Sequence, residues 1–455
     1  MRPLLLPIIL AAIFFPTAAA EDQHDDVDPI LQNYPSLVNW FTSHGGQIDP
    51  RITLGYEEPA HIRGMLATER IEPETVLIHT PASLMINDVN DGPSQDQCAV
   101  VHRVVEELEL GQDSKWDMYF KFDGSSVPDA DGEEEQQQGL IRHTQTPTHW
   151  NKEGQPGSRA IAELQGLPPA GETHRHSDWF ERDCNNSQEA TPIQFKALMM
   201  FITRSCDRGL VPLYHLLNHH NGLINTRLAV DDNGGMSVIA STTIEANEPI
   251  YNTYARGGWE SSIDVFNTYG FVEDYPQLWR WSDDDMNHLA EEDPNHAFGR
   301  YVGPNGDNKG VDGDGRGFEP NSPHYEVLVV SPTLAALHPT KSLVQILGNG
   351  RRSMEDWKAE IESHHATLRQ SHANAMHDSA VSILSELPTT IEEDEKTILP
   401  NERRLFEKVK KKGRVDQSKA DTIQAIEYRL AFKKALRLTA DVAKSHKFYA
   451  DSEEL

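Results

Sequence analysis

Residues Phe195–Glu273 read FKALMMFITRSCDRGLVPLYHLLNHHNGLINTRLAVDDNGGMSVIASTTIEANEPIYNTYARGGWESSIDVFNTYGFVE, and the order of elements in this run decides the fold. Phe195, Leu198, Met199 and Ile202 recur at spacings of three and four, which puts them on one face of a helix. Arg204 ends that stripe. A second apolar run then stops at the polar cluster Asn218-His219-His220-Asn221. Two short strand-like segments, around Leu228–Val230 and Met236–Ala240, flank Asp232-Asn233-Gly234-Gly235, and an Asn-Gly pair between such segments predicts a β-hairpin. The stretch closes on Thr253-Tyr254 and Tyr269-Gly270-Phe271.

Outward from that run, 455 residues are enough for two domains or more, each with its own core. The net charge is −30, from 71 acidic and 41 basic residues. So acidic a surface repels phosphate backbones and argues against nucleic-acid binding. It suits a basic protein substrate, and solubility accounts for it equally. Residues 1–20, with Arg2, an apolar run from Leu4 to Phe15 and Ala18-Ala19-Ala20, have the architecture of a secretory signal peptide, and an acidic leader follows at 21–35. The expected address is the secretory pathway, in the ER lumen or beyond. No later stretch reaches about 18 apolar residues, so no membrane span is expected.

Three cysteines, Cys98, Cys184 and Cys206, allow at most one disulfide and leave a thiol over. None has zinc-site spacing, and no metal is expected. Asn185-Asn186-Ser187 is a glycosylation sequon.

Before the deciding stretch, Leu37, Val38, Trp40 and Phe41 predict a short helix ended by Gly45-Gly46. Thr75–His79 alternates as a strand, and Val101, Val104, Val105 and Leu108 share a helix face. Asp123 to Gln138 is poor in apolar residues and predicts a loop or a disordered insertion. Asn305 to Gly317 is rich in Asp and Gly but lacks the Glu of a calcium loop at the twelfth position. From Leu334 the pattern is mostly helical. It includes a capping box, Thr390 with Glu393, and a last helix carrying Ile423, Ile426, Leu430, Phe432, Ala435 and Leu436.

Taken together, Arg204, Pro212…Asn218-His219, Thr253-Tyr254 and Tyr269-Gly270-Phe271 resemble, in order and spacing, the catalytic domain of SET-domain protein lysine methyltransferases of the Rubisco large-subunit methyltransferase type. His61–Ile86 resembles the first motif of that family, with Ile62 where the family has its first Gly and with Arg63-Gly64 kept. Ser114-x-Trp116-x-x-Tyr119, Thr148-His149-Trp150 and Ala160–Leu167 resemble its helical insert. Thr390-x-x-Glu393-Asp394-Glu395 and Tyr428-Arg429-Leu430 with Lys433 resemble its C-terminal substrate-binding domain.

The resemblance implies an α+β chain: a β-rich SET domain at 36–275 with a helical and loop insert at about 95–200, then an all-α substrate-binding domain at 276–455. It implies methyl transfer from S-adenosyl-L-methionine to a lysine of a protein substrate. The chain is expected to be a monomer. Tyr269 and Tyr254 would be catalytic. Arg63, Gly64, Met65, Arg204, Asn218 and His219 would hold the cofactor, and Phe271 and Tyr214 would line the substrate channel. These residue types suit the chemistry. An in-line displacement needs aligned partners, and an aromatic channel favours the uncharged amine. Two residues depart from the family: His215 stands where it has Asp, and Ala255 where it has Gly. His215 and His219, four apart, would share a face if helical, a spacing that suits a metal. Two alternatives stay open, a protein-histidine methyltransferase of the same fold, which the run Asn218–Ile224 also resembles, and an inactive SET fold that only binds protein.

Overall fold

The computed structural model describes residues 29–57, 62–87, 96–122, 146–151, 158–168, 173, 175–206, 208–254, 259–282, 324–338, 343, 352–398 and 417–445. The signal peptide, the acidic run 123–138, Ala255 and the Asp- and Gly-rich run 305–317 lie outside them. Helix α1 (Pro29–Ser43) begins inside the stretch expected as leader, because Ile30 and Tyr34 join the apolar face of Leu37 and Phe41 in the core. The chain leaves it at Gly45 (φ +92°). At Gly46 a Cβ would lie 2.5 Å from the Phe41 ring, so the turn needs both glycines.

Short strands follow: β1 (Gln47–Ile48), β2 (Ile52–Glu57), β3 (Ile62–Ala67) and β4 (Val76–Thr80). Helices α2 (Gln97–Leu110), α3 (Asp117–Phe122), α4 (Ser158–Glu163), α5 (Arg175–Trp179) and α6 (Pro192–Arg204) form the insert and lead into the deciding stretch. There the chain makes β5 (Ser205–Cys206), β6 (Gly209–Leu210), β7 (Asn218–His219), β8 (Thr226–Val230), β9 (Met236–Ala240) and β10 (Tyr251–Asn252), and ends in α7 (Ser262–Tyr269).

The expected hairpin is β8–β9, in register from Thr226↔Ala240 to Val230↔Met236. Asp231 shapes its turn by accepting the backbone N–H groups of Asn233 and Gly235 at 2.8 and 2.9 Å. The hairpin extends a four-stranded antiparallel sheet of order β1-β4-β9-β8. Strand β10 returns parallel to β7, pairing Tyr251 with Asn218 and Asn252 with His219, so the hairpin sits inside the crossover that parallel pairing requires.

Thr191 and Gln194 close a capping box on α6, and Pro192 takes its first position. The deepest face of α6 is Ala197, Leu198 and Met200, packed on α2. Phe195 and Ile202 of the expected stripe are only partly buried at its edges. Cys98 and Cys184 form the single disulfide that three cysteines permit, tying the first turn of α2 to the segment before α6, and Cys206 is free. Such bonds persist in oxidising compartments. Asn185 of the sequon donates to Gln188 O at 2.9 Å and accepts from Gln194 at 3.1 Å, so its amide already serves the local turn.

The region after residue 275 is not all-helical. Strands β11 (Gln277–Ser282), β12 (His324–Ser331) and β13 (Leu334–His338) form an antiparallel sheet in sequence order, and helices α8 (Met354–His365), α9 (Gln370–Glu386) and α10 (Gln417–Ser445) follow. A second core gathers Trp279, Trp281, Tyr428 and Phe432. It also takes in Trp150, Ala160, Leu164 and Leu167 of the insert, which therefore packs against the C-terminal part of the chain.

The two C-terminal sequence patterns meet in one buried charge network. Asp394 accepts from Arg429 at 2.6 Å and from Lys433 at 2.8 Å, and Arg429 reaches Glu163 of α4 at 2.9 Å. Burial pushes the Asp394 carboxyl up, but the bonds from Arg429, Lys433 and Thr389 outweigh it and hold the group below its ordinary range. Lys433 also donates to Thr389, whose hydroxyl meets Gln165 at 2.9 Å. Among the described residues, no helix is long and apolar enough to cross a membrane, and no group of three or more His, Cys, Asp or Glu is placed to hold a metal ion.

Candidate active site

The parallel pairing of β7 and β10 decides what meets what. It carries Asn218-His219 to the strand that leads into Tyr254, and α7 brings Tyr269 back beside them. On the other side, Asn218 Nδ2 donates to Arg63 O of β3 at 2.9 Å. That approach works only over a residue without a side chain, since a Cβ on Gly64 would sit 2.3 Å from the same Nδ2. Arg63, Gly64, Met65, Asn218 and His219 are thus gathered at one seam. Met65 is buried there with its sulfur 3.9 Å from the Tyr34 hydroxyl.

His219 is fixed in one tautomer. Its Nδ1 accepts the Tyr254 backbone N–H at 3.1 Å, so its proton sits on Nε2, which is buried with no hydrogen-bond partner among the described residues. Burial, then His220, lowers its pKa to about 3, offset in part by Asn221, and the ring stays neutral. It stacks on Tyr254 with centroids 5.2 Å apart.

Tyr254 and Tyr269 form the centre of an aromatic cluster, with ring centroids 4.4 Å apart and Phe271 6.3 Å beyond Tyr269. The Tyr254 hydroxyl donates to Leu217 O at 3.0 Å. The Tyr269 hydroxyl has no hydrogen-bond partner among the described residues. Burial above all, with Tyr254, Glu260 and Tyr214 adding to it, raises its pKa well above the ordinary phenol value, so it keeps its proton. Gly270 (φ +78°) ends α7 in the left-handed conformation directly after Tyr269, which fixes where the ring leaves the helix. Tyr214 is hydrogen-bonded through its hydroxyl to Asn252, the residue paired with His219.

Arg204 stands at the end of α6, partly buried. His215 turns toward the insert and packs edge-on against Tyr119, with centroids at 5.2 Å. It belongs to a single 3-10 turn and His219 to a strand, so the two do not share the helix face that their spacing suggested.

Sequence reading missed two acidic residues, Glu260 and Glu273, that Asn221 holds on either side of the helix of Tyr269. Asn221 Oδ1 accepts the backbone N–H of Glu260 at 2.9 Å, and its Nδ2 donates to Glu260 O at 3.0 Å and to Glu273 Oε1 at 2.9 Å. Ser262 also donates to Glu273 Oε1. The only trace of this in the sequence is the polar run Asn218–Asn221, whose last member has no apolar role to play.

Burial, reinforced by Glu260 and Asp264 and opposed by the bonds Glu273 accepts, raises the Glu273 pKa to about 8. A carboxyl raised in the folded state favours folding below its unfolded pKa, near 4.5, and that contribution is lost as pH climbs toward 8. Glu273→Gln keeps an acceptor for Asn221 and Ser262 and cannot ionise. Its melting temperature should therefore gain on the parent's between pH 5 and pH 8. Two parallel melting curves across that range would show that Glu273 carries no such penalty.

No known protein-family profile and no curated protein matches the sequence. Solved structures do match the fold. One of Rubisco LSMT bound to AdoMet is 16% identical and covers 92% of each chain with a TM-score of 0.50. Another, of Rubisco LSMT bound to sinefungin and monomethyllysine, is 15% identical with the same coverage and a TM-score of 0.50. The chain has the fold of these SET structures along 92% of its length.

Proposed function

We propose that this chain is a protein methyltransferase that moves a methyl group from S-adenosylmethionine to a lysine side chain. The observation that carries the reading is the Tyr254–Tyr269 pair, in which one hydroxyl is committed to Leu217 O and the other is free beside a neutral, tautomer-fixed His219. The identity of donor and acceptor is drawn from the two structures of the same fold, which hold AdoMet and monomethyllysine.

The residues at the seam fit such a donor. Gly64 leaves room for backbone to approach closely, and the buried Nε2 of His219 offers a proton that no described residue accepts, while Arg204, carried at the end of α6, would supply a cation for the carboxylate of the donor. Arg63, Gly64, Met65, Arg204, Asn218 and His219 would hold the donor, which when bound supplies a methyl group on a sulfonium. The work left to the protein is alignment and exclusion of water. Tyr269 orients the amine through its free hydroxyl, and the rings of Tyr254, Phe271 and Tyr214 wall the path and disfavour a charged nitrogen. The excess of acidic residues suits a basic protein substrate.

Calorimetric titration with S-adenosylmethionine tests the donor. The parent should bind it. Gly64→Ala, which displaces Asn218 from Arg63 O and loses a hydrogen bond of about 0.5–1.5 kcal/mol, should weaken binding by about tenfold. A parent that takes up no heat-producing ligand would remove the methyl-transfer reading, and equal affinities would remove Gly64 from the site.

A further inference from the structure

Both polar atoms of one buried side chain are spent on the two ends of the segment that carries Tyr269. Asn221 is 1% exposed. Its Oδ1 accepts the Glu260 backbone N–H at 2.9 Å, and its Nδ2 donates to Glu260 O at 3.0 Å and to Glu273 Oε1 at 2.9 Å. Glu260 precedes Ser261, the residue that caps α7, and Glu273 follows Tyr269-Gly270-Phe271 and Val272. One amide therefore holds the chain before the helix and after it.

The helix between those ends transmits the hold. Ser261 caps it by accepting Ile263 N–H, Val265 N–H bonds back to Ser261 O, and Gly270 N–H bonds to Phe266 O. So short a helix, bonded at both ends, shifts as a unit. Ser262 closes the loop by donating to Glu273 Oε1 at 2.9 Å, the same oxygen that Asn221 holds. Gln277 in turn donates to Glu273 O at 2.7 Å.

Asn221 also lies two residues after His219, on the run that builds the donor seam. That seam has fastenings of its own. Strand β7 is paired with β10 at Tyr251 and Asn252, and Asn218 donates to Arg63 O at 2.9 Å. The three bonds of Asn221 go to none of these residues. At the other end of α7, Tyr269 meets the cluster through ring contacts to Tyr254 and Phe271, which fix its position less sharply than directional hydrogen bonds do.

We propose that Asn221 is a positioning residue, which sets Tyr269 against Tyr254 and His219 by holding both ends of α7, a role that rests on the methyl-transfer reading above. It acts through Tyr269 and touches neither donor nor amine. Without it the Tyr269 hydroxyl leaves the line of the displacement, and a misplacement of about 1 Å in such a site costs about a hundredfold in rate. Because seam and helix are fastened separately, the loss falls on kcat and spares donor affinity.

The test labels the full chain with 3-fluorotyrosine and assigns the Tyr269 resonance by its absence from Tyr269→Phe. Asn221→Ala should displace or broaden that resonance. It should lower kcat by about tenfold or more and leave S-adenosylhomocysteine affinity within about twofold of the parent's. Rates are taken per site that binds S-adenosylhomocysteine, so a variant that is only partly unfolded keeps its kcat. Glu273→Met leaves the hold on Glu260 and removes the one on the far side of Tyr269. It should show the same pattern at smaller amplitude, and it carries the test if Asn221→Ala does not fold. An unmoved Tyr269 resonance, an equal kcat per binding site, or a donor affinity that falls in step with kcat would overturn the assignment. A parent that binds no S-adenosylhomocysteine or transfers no methyl group bears on the methyl-transfer reading instead, and the fluorine spectra then decide alone for Asn221.

Discussion

Tyr269→Phe should slow methyl transfer by about two orders of magnitude, ~2.7 kcal/mol of barrier, without unfolding the protein or weakening donor binding. The ring stays, and with it the 4.4 Å contact to Tyr254 and the packing at the end of α7. Only the hydroxyl goes, and it makes no hydrogen bond to any described residue, so the folded state loses no internal bond. The effect should therefore fall on kcat, because an oriented amine matters only where the displacement is aligned. Labelled donor, a mixture of lysine-rich proteins and equal donor occupancy for both forms are the conditions to use. Equal rates would make Tyr269 a packing residue.

Asp394→Ala should be the most destabilising single change in the chain, by about 3–5 kcal/mol. The carboxylate is 1% exposed and is the shared acceptor of Arg429 and Lys433, both of which are also buried. Removing it leaves buried Lys433 facing only the neutral Thr389 and Gln165 among the described residues and leaves Arg429 with Glu163 alone, and a buried charge short of its partner is much more costly than the bond itself. The pair Arg437–Glu392, 2.9 Å apart and about half exposed on both sides, provides the control. Its loss should leave stability almost unchanged, since solvent screens an exposed pair. Chemical denaturation of the two variants beside the parent measures both. An Asp394→Ala loss no larger than that of Glu392→Ala would show that the network does not lock the insert to the C-terminal helices.

What the sequence disclosed about the fold was local. Asn233-Gly234 marked the hairpin because left-handed backbone at Gly234 suits that turn, and the stripe Val101, Val104, Leu108 marked α2 because burial there is one-sided. Strand β13 was missed because Leu334-Ala335-Ala336-Leu337 consists of good helix formers, and only pairing with β12 makes it a strand. Trp150, Ala160 and Leu164 were legible as ordered, but their choice of the C-terminal core depends on Arg429 and Tyr428, more than 260 residues away in sequence.

The candidate site divides in the same way. Tyr254, Tyr269 and His219 were found from motif order, and the structure brings them together. Glu260 and Glu273 were not found, because what ties them together is the side chain of Asn221, acting across separations of 39 and 52 residues. His215 departs from the expected Asp, and its ring has found a partner in Tyr119 instead.

The most direct measurement is to incubate the full chain with S-adenosylmethionine carrying a labelled methyl group and a lysine-rich protein, then to locate the label by mass spectrometry. The account predicts label on the Nε atom of lysine side chains, absent when donor or chain is left out. Label confined to histidine, or no transfer by a chain that binds the donor, would contradict it.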